Sequence, residues 1–229
     1  MELFLELIAP RTCGACRSDL PRVVQGPLCG DCLASVRPLE GRVCERCGAP
    51  NAGHESLCRR CREGLFAVDA VRAAFAYRPP IRELLHAFKY RGRLDAGCAL
   101  ADWMAGLYPR HPEIAGARAV VAVPLHRRRL RERGFNQADR LADAVARVAG
   151  LPRRTGLVRV KKTAAQWELS RAERLANLED AFAWEGPPPP SRVLLIDDVC
   201  TSGGTLEACG RALQAAGAEE VKAFVLARD

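Results

Sequence analysis

The chain has 229 residues, 48% hydrophobic and 27% charged, with a formal net charge of +8. That balance belongs to one medium globular domain with a core and a small appendage; it excludes a disordered chain and a large multidomain machine. The longest apolar stretches, such as the seven residues from Ala119 to Leu125, fall far short of the roughly 20 that cross a bilayer, and the opening MELFLELIAP carries no basic leader, so the expectation is a cytoplasmic protein with no membrane span.

Cysteine comes first in chain order. Eight of the 11 cysteines form four Cys-x-x-Cys pairs: Cys13/Cys16, Cys29/Cys32, Cys44/Cys47 and Cys58/Cys61. The gaps of 12 residues between the first two pairs and 10 between the last two are those of small ribbons in which two thiolate knuckles close a tetrahedral metal site. Two zinc ions fit this pattern, because four thiolates are soft ligands and a closed shell leaves no place for substrate; the sites are expected to be structural. In so short a segment metal is expected to stand in for a core. A disulfide framework is disfavoured by a reducing cytoplasm, and a redox site needs one such pair in an α/β context rather than four. His54 reads as a surface residue beside eight available thiols. Sequential pairing is the simpler closure, with crossed pairing the alternative. Residues 1–64 are thus expected to form a double zinc ribbon, and residues 65–229 a second domain. Cys98, Cys200 and Cys209 read as small, partly buried side chains.

The charge divides at the same place. Residues 1–64 hold 9 basic and 8 acidic residues, against 26 and 19 in the remainder, so the surface expected to attract polyanions is the C-terminal one.

In that part Val71, Ala73, Phe75 and Tyr77 alternate as in a strand, and Ile81, Leu84, Leu85 and Phe88 recur at helical spacing over 81–90, with Pro80 able to occupy the first turn. A second helix is expected over 97–107. The run 119–123 reads as a buried strand stopped by Pro124, and the turn after it carries His126, Arg127, Arg128 and Arg129. Leu141, Val145 and Val148 mark a helix ending near Gly150. LVRV at 157–160 and the segment 181–184 offer further strands, with Ser170 and Glu173 a capping-box pair between them. After four prolines come a strand at 192–196, a polar loop, a helix at 205–216 and a strand at 221–227. Strands alternating with helices imply a parallel sheet.

The most informative stretch runs from Val193 to Leu213. A buried strand delivers Asp197 and Asp198, and Thr201, Ser202, Gly203, Gly204 and Thr205 then lead into a helix. Chain leaving the carboxyl end of a parallel strand enters the crevice where α/β proteins bind ligands. There, backbone N–H groups and hydroxyls can wrap a phosphate at the helix N-terminus. No Walker lysine and no Gly-x-Gly-x-x-Gly is present, which argues against an ordinary nucleotide or dinucleotide site. Two acids beside a phosphate repel it unless they accept bonds from sugar hydroxyls or hold a divalent cation, so a ribose 5-phosphate with magnesium satisfies all parts.

IDDVCTSGGT resembles the phosphoribosyl-pyrophosphate (PRPP) motif of type I phosphoribosyltransferases, with Ser202 where a second Thr is usual. By that resemblance Asp197 and Asp198 would be the catalytic carboxylates on the ribose hydroxyls, and residues 201 to 205 would take the 5-phosphate. The order of segments, from the paired cysteines through YRPPIRELLHAFKYRGR, VPLHRRRLRERGFNQ and KKTAAQWELSRAERLANLEDAF to the phosphate loop, resembles the ComF family, including the ComFC and GntX-like proteins. The resemblance implies a type I phosphoribosyltransferase-like parallel sheet flanked by helices, with a small N-terminal zinc-ribbon domain. It also implies PRPP with magnesium as ligand, and a role in DNA uptake and natural transformation with single-stranded DNA and DNA-uptake proteins as partners. In such a site Lys89, Arg127 and Arg133 would meet PRPP, with Tyr90 and the run Gly134, Phe135, Asn136, Gln137 close by; solvated surface is the plainer alternative for each arginine, and a favourable place at a helix end for Lys89. Lys161, Lys162, Gln166, Arg171, Arg174 and Asn177 belong to a basic lid or an exposed loop. Catalysis and ligand-regulated DNA binding both remain open, since no acceptor-binding element is evident.

Overall fold

Runs of β-branched and aliphatic residues between amphipathic segments build the alternation expected of them. The computed structural model describes residues 11–51, 53–63, 68–160 and 181–229. Two short helices, α1 (Gly30–Ala34) and α2 (Arg59–Arg62), lie in the cysteine-rich part. Strand β1 (Ala70–Ala76) leads to α3 (Ile81–Tyr90) and α4 (Leu94–Leu107), and β2 (Ala119–Ala122) to α5 (Arg127–Arg133) and α6 (Gln137–Ala149). The chain closes with β3 (Leu157–Arg159), β4 (Phe182–Trp184), β5 (Arg192–Cys200), α7 (Gly204–Ala215) and β6 (Glu220–Arg228). Strands β1, β6, β5 and β2 pair in that order, all parallel. A separate two-stranded antiparallel sheet joins β3 to β4.

Successive side chains of a strand point to opposite faces, and here both faces are covered. One face carries Ala74, Val120, Leu194, Ile196, Phe224 and Leu226 against α3, α4 and α6 through Leu84, Phe88, Leu100, Met104, Leu141 and Val145. The other carries Val71, Val121, Val193, Leu195, Ala223 and Val225 against Leu206, Cys209 and Leu213 of α7 and against Leu157 and Phe182 of the small sheet. Each fully buried aliphatic side chain contributes about 1.5–3 kcal/mol, so the two layers together hold β5 at the centre of the molecule.

The cysteine-rich part is docked on this core instead of standing apart on metal alone. Cys13, Leu20 and Leu28 join the helix-covered layer, while Cys44, Cys47 and Cys61 join the layer under α7. That corrects the expectation that metal replaces a core there.

Four further differences are local. The segment after β2 is a helix, α5, not a turn; RRRLRER has no apolar stripe because most of it faces water. Strand β5 continues to Cys200, beyond the apolar run. Val148, counted on the apolar face of α6, is half exposed, and Cys98 is exposed and not partly buried. The basic segment with Lys161, Lys162, Gln166, Arg171, Arg174 and Asn177, and the Ser170/Glu173 cap, lie outside the described residues. Among the described residues no helix is long and apolar enough to cross a membrane.

Candidate phosphate site and metal centres

The pleat of β5 decides where its two acids go. Because β5 stays paired to β6 through Asp197↔Val225 and Val199↔Ala227, Asp197 and Asp198 emerge on opposite faces of the sheet. Asp198 enters the helix-covered side. There Lys89 Nζ, at the end of α3, stands 2.8 Å from its Oδ1, and the Gln137 side-chain amide donates to its Oδ2. Asp197 lies on the α7 side, where its Oδ1 accepts from the backbone N–H of Asp198 at 2.8 Å. Burial, and then the neighbouring Asp198 charge, push the Asp197 carboxyl up to about 8. A cation placed against the two acids would oppose both causes.

Each residue of the run Arg-Gly-Phe-Asn-Gln has a place around this pair. Arg133 ends α5, donates to Gln137 Oε1 and lies 5.1 Å from the centre of the Tyr90 ring. Gly134 closes α5 with φ 80°. Phe135 stacks on Phe88 of α3 at 4.9 Å, fixing the helix that carries Lys89. Asn136 caps α6, accepting from Ala138 N–H at 3.3 Å and donating to Val123 C=O at 3.1 Å, which ties the helix to the end of β2. Gln137 passes the chain Arg133–Gln137–Asp198 on to the acid.

Beyond Cys200 the chain turns through 201 to 203 into α7. Gly203 is the residue before the helix, at φ 79° and ψ 1°, in the left-handed region that a side chain adopts at a cost of about 1–2 kcal/mol. Thr201 is exposed, Ser202 and Thr205 are half-buried, and Gly203 and Gly204 are buried. The first turn of any helix leaves its N–H groups without intrahelical partners, so this bend sets them beside Asp197 and Asp198 at the carboxyl end of the sheet.

The eight paired cysteines form two clusters, Cys13, Cys16, Cys29, Cys32 and Cys44, Cys47, Cys58, Cys61, with the ligand atoms of each within 4.8 Å of one another. Pairing is thus sequential. Sulfurs at about 2.3 Å around a tetrahedral zinc lie about 3.8 Å apart. Cys16 and Cys29, and likewise Cys47 and Cys58, have their Sγ atoms at 3.7 Å. Backbone N–H groups of Cys29 and Cys58 point at the Cys13 and Cys44 sulfurs at 3.4 and 3.3 Å, bonds that favour thiolates. Without a cation the four cannot all ionise: Ser18 holds Cys16 down to about 6, while burial and then its cysteine neighbours push Cys32 up to about 12. The donor sets fit two structural zinc ions.

The structure brings Lys89, Arg133, Gln137 and Asp198 together, with Tyr90 under the arginine. Arg127 stays exposed on the first turn of α5, outside that network. His54 is exposed, as expected. Two neighbours of the acids were not singled out from the sequence. Tyr77, whose hydroxyl lies 3.1 Å from His86 Nε2, is pushed up by burial and then by the Asp198 charge. Arg159, at the end of β3 and over the Phe182 ring, is pushed down by burial and then by Arg129, while its own charge acts on Asp197. Their signal was masked because both sit in alternating stretches that read simply as strand.

Comparison with known proteins agrees with both halves of the chain. The double zinc ribbon domain family matches residues 4–65, and the phosphoribosyl transferase domain family matches residues 138–229. A "DNA utilization protein YhgH" of Salmonella typhi is 33% identical, over 97% of this chain and 99% of its own. A "Competence protein F" of Haemophilus influenzae is 30% identical over 94% and 96%. Among solved structures, an allosteric regulatory enzyme of purine biosynthesis matches with 19% identity and a TM-score of 0.42, over 61% of this chain and 29% of that one.

Proposed function

Because the chain belongs to the ComF family, we propose that it binds PRPP with magnesium at the bend of residues 201 to 205 and acts in DNA uptake and natural transformation in the cytoplasm. The observation that carries this reading is the pair Asp197 and Asp198 at the carboxyl end of β5, followed at once by the left-handed Gly203 and the start of α7. The bend supplies N–H groups and the hydroxyls of Thr201, Ser202 and Thr205 to a 5-phosphate, and the acids accept from ribose hydroxyls. Carboxylate oxygens are hard donors suited to magnesium, and two adjacent buried acids, one of them raised by the charge of the other, fit a cation; Asp197 and Asp198 are the residues that would hold the ion, which supplies charge neutralisation for the diphosphate. Lys89 and Arg133 stand on the Asp198 side to meet anionic oxygens. Division of labour follows the boundary between residues 64 and 65, with two structural zincs before it and the ligand site after it.

The DNA role rests on the names of the relatives and on basic α5, where Arg127, Arg128, Arg129 and Arg131 are exposed. A second reading, active phosphoribosyl transfer, is favoured by Arg159, a cation whose charge acts on Asp197 and which feels the charge of Arg129. In that reaction the C1–O bond breaks, pyrophosphate leaves with the electron pair, and an acceptor nucleophile bonds to C1 with inversion and loses its proton to solvent. Cations that gather the departing charge lower that barrier. Titration calorimetry with Mg-PRPP tests the binding: the protein gives a saturable heat, and Asp198→Asn weakens it about tenfold or more. A protein without any such heat refutes the reading.

A further inference from the structure

We propose that the second cysteine ribbon is the strut of the phosphate bend, with Arg60 as the positioning residue that aims the bend's backbone at its ligand. The proposal rests on the reading of residues 201 to 205 as a phosphate site and deepens it. Arg59 and Arg60 both stand between Cys58 and Cys61, yet they face opposite ways. Arg59 is on the surface, paired with Glu63 at 2.8 Å. The Arg60 side chain is 15% exposed; its Nη1 donates to the Ser202 carbonyl, and its Nη2 lies 3.6 Å from Glu207 Oε2.

Ser202 precedes the left-handed Gly203, and Glu207 sits in the first turn of α7, so one guanidinium spans both sides of the bend. Glu207, 7% exposed, is itself held from the far side by Arg211 at 2.8 Å on Oε1, and Glu207 N–H bonds back to Gly203 C=O at 2.9 Å. The consequence comes from the planar trans peptide: the N–H of residue 203 points opposite to the C=O of residue 202. Drawing the Ser202 carbonyl toward Arg60 therefore turns the Gly203 N–H away from the ribbon. A cation on the carbonyl also polarises the same peptide unit and makes its N–H a stronger donor to an anion.

A strut must be anchored at its other end, and this one is. The knuckle of Cys44 and Cys47 is seated on β1: Val71 N–H donates to Arg46 C=O at 2.7 Å, and Arg72 Nη1 to Glu45 C=O at 2.8 Å. Gly48, at φ 67°, packs so closely that an added Cβ would lie 2.4 Å from the Val71 oxygen. Cys58 N–H binds the Cys44 sulfur at 3.3 Å, linking this knuckle to the one that carries Arg60. The first ribbon docks elsewhere, with Arg93 before α4 donating to Thr12 C=O at 3.0 Å and Gly14 against Leu84. The two ribbons thus have different tasks, and among the described residues it is the second that reaches the bend.

Arg60→Ala, Arg60→Lys and Arg59→Ala, each made in the full zinc-loaded chain, test this. Hydrogen exchange of the ligand-free proteins is read at the amides of residues 207 to 210, the first bonded turn of α7, where Glu207 N–H binds Gly203 C=O, with zinc per chain and Mg-PRPP affinity beside it. Arg60→Ala keeps two zincs, exchanges these amides about tenfold faster or more, and binds Mg-PRPP about tenfold more weakly; Arg60→Lys recovers part of both, and Arg59→Ala behaves as the unaltered protein. Unchanged exchange in Arg60→Ala overturns the strut, and so does loss of zinc together with affinity, which marks Arg60 as part of the ribbon's own fold. Exchange needs no ligand and decides the strut even if the unaltered protein is silent towards Mg-PRPP, an outcome that overturns the ligand reading alone.

Discussion

Replacing Lys89 with Met removes the cation from Asp198 while keeping an unbranched side chain in the same space. At 2.8 Å the gross attraction is about 6 kcal/mol at an effective dielectric near 20. Removing one partner of a buried pair costs about 3–5 kcal/mol, because the remaining charge keeps its desolvation penalty. The Lys89 side chain is 14% exposed and that of Asp198 8%, and Gln137 still donates to the acid, so the low end, about 3 kcal/mol, applies. For a chain of this size about 1 kcal/mol moves the melting temperature by about 2–4 °C, which gives a fall of about 6–12 °C for Lys89→Met at pH 7. Scanning calorimetry of Lys89→Met, Asp198→Asn and the double variant measures it. The double variant leaves neither charge unpaired and should melt higher than the sum of the single losses allows, by about 2 kcal/mol of coupling. A single-variant change under about 2 °C, or strict additivity, would refute the pair as a stabilising contact.

Asp197 gives a pH signature. Its carboxyl is raised to about 8 by burial and by Asp198, so the folded state keeps a proton that the unfolded chain loses near pH 4. The stability it contributes is full below about pH 4 and is lost as pH rises through 8, so the melting temperature of Asp197→Asn should gain on that of the unaltered protein between pH 5 and 8; parallel curves contradict this. Chelation should release two zincs per chain and, because Cys44, Cys47 and Cys61 share a core with Val71, Val121 and Leu195, should speed hydrogen exchange in β1 and β5 as well as in the ribbons. Loss confined to residues 11–63 opposes that account. Single-stranded DNA, if it tracks α5, should bind with log affinity falling about 0.7 per phosphate contact against log salt, and replacing Arg128 and Arg131 by Ala should flatten the slope; an affinity indifferent to salt excludes the backbone-tracking role.

Much of this architecture is legible from the order of residues, and its gaps have physical causes. Helix α3 coincides with the stretch Ile81 to Tyr90 because its apolar positions recur at helical spacing and Pro80 sits at its N-cap. Strand β5 is read short, since hydrophobic periodicity ends at Ile196, whereas the ladder to β6 is made by backbone groups and continues under Asp197 and Asp198. That extension sends the acids to opposite faces, which adjacent letters do not reveal. Helix α5 is missed because an exposed basic helix has no apolar stripe to betray it. The thiol clusters are readable from spacing, but their docking is not: whether a ribbon stands alone depends on contacts such as Gly48 to Val71 and Arg60 to Ser202, which join residues far apart in sequence. For the same reason Tyr77 and Arg159 join the site unannounced.

The most direct trial of the ligand reading is a crystal structure of the full zinc-loaded chain grown with Mg-PRPP. The 5-phosphate should lie against the backbone of residues 201 to 205, with ribose hydroxyls on Asp197 and Asp198. PRPP bound elsewhere, or a bend that stays empty at saturating ligand, contradicts the account.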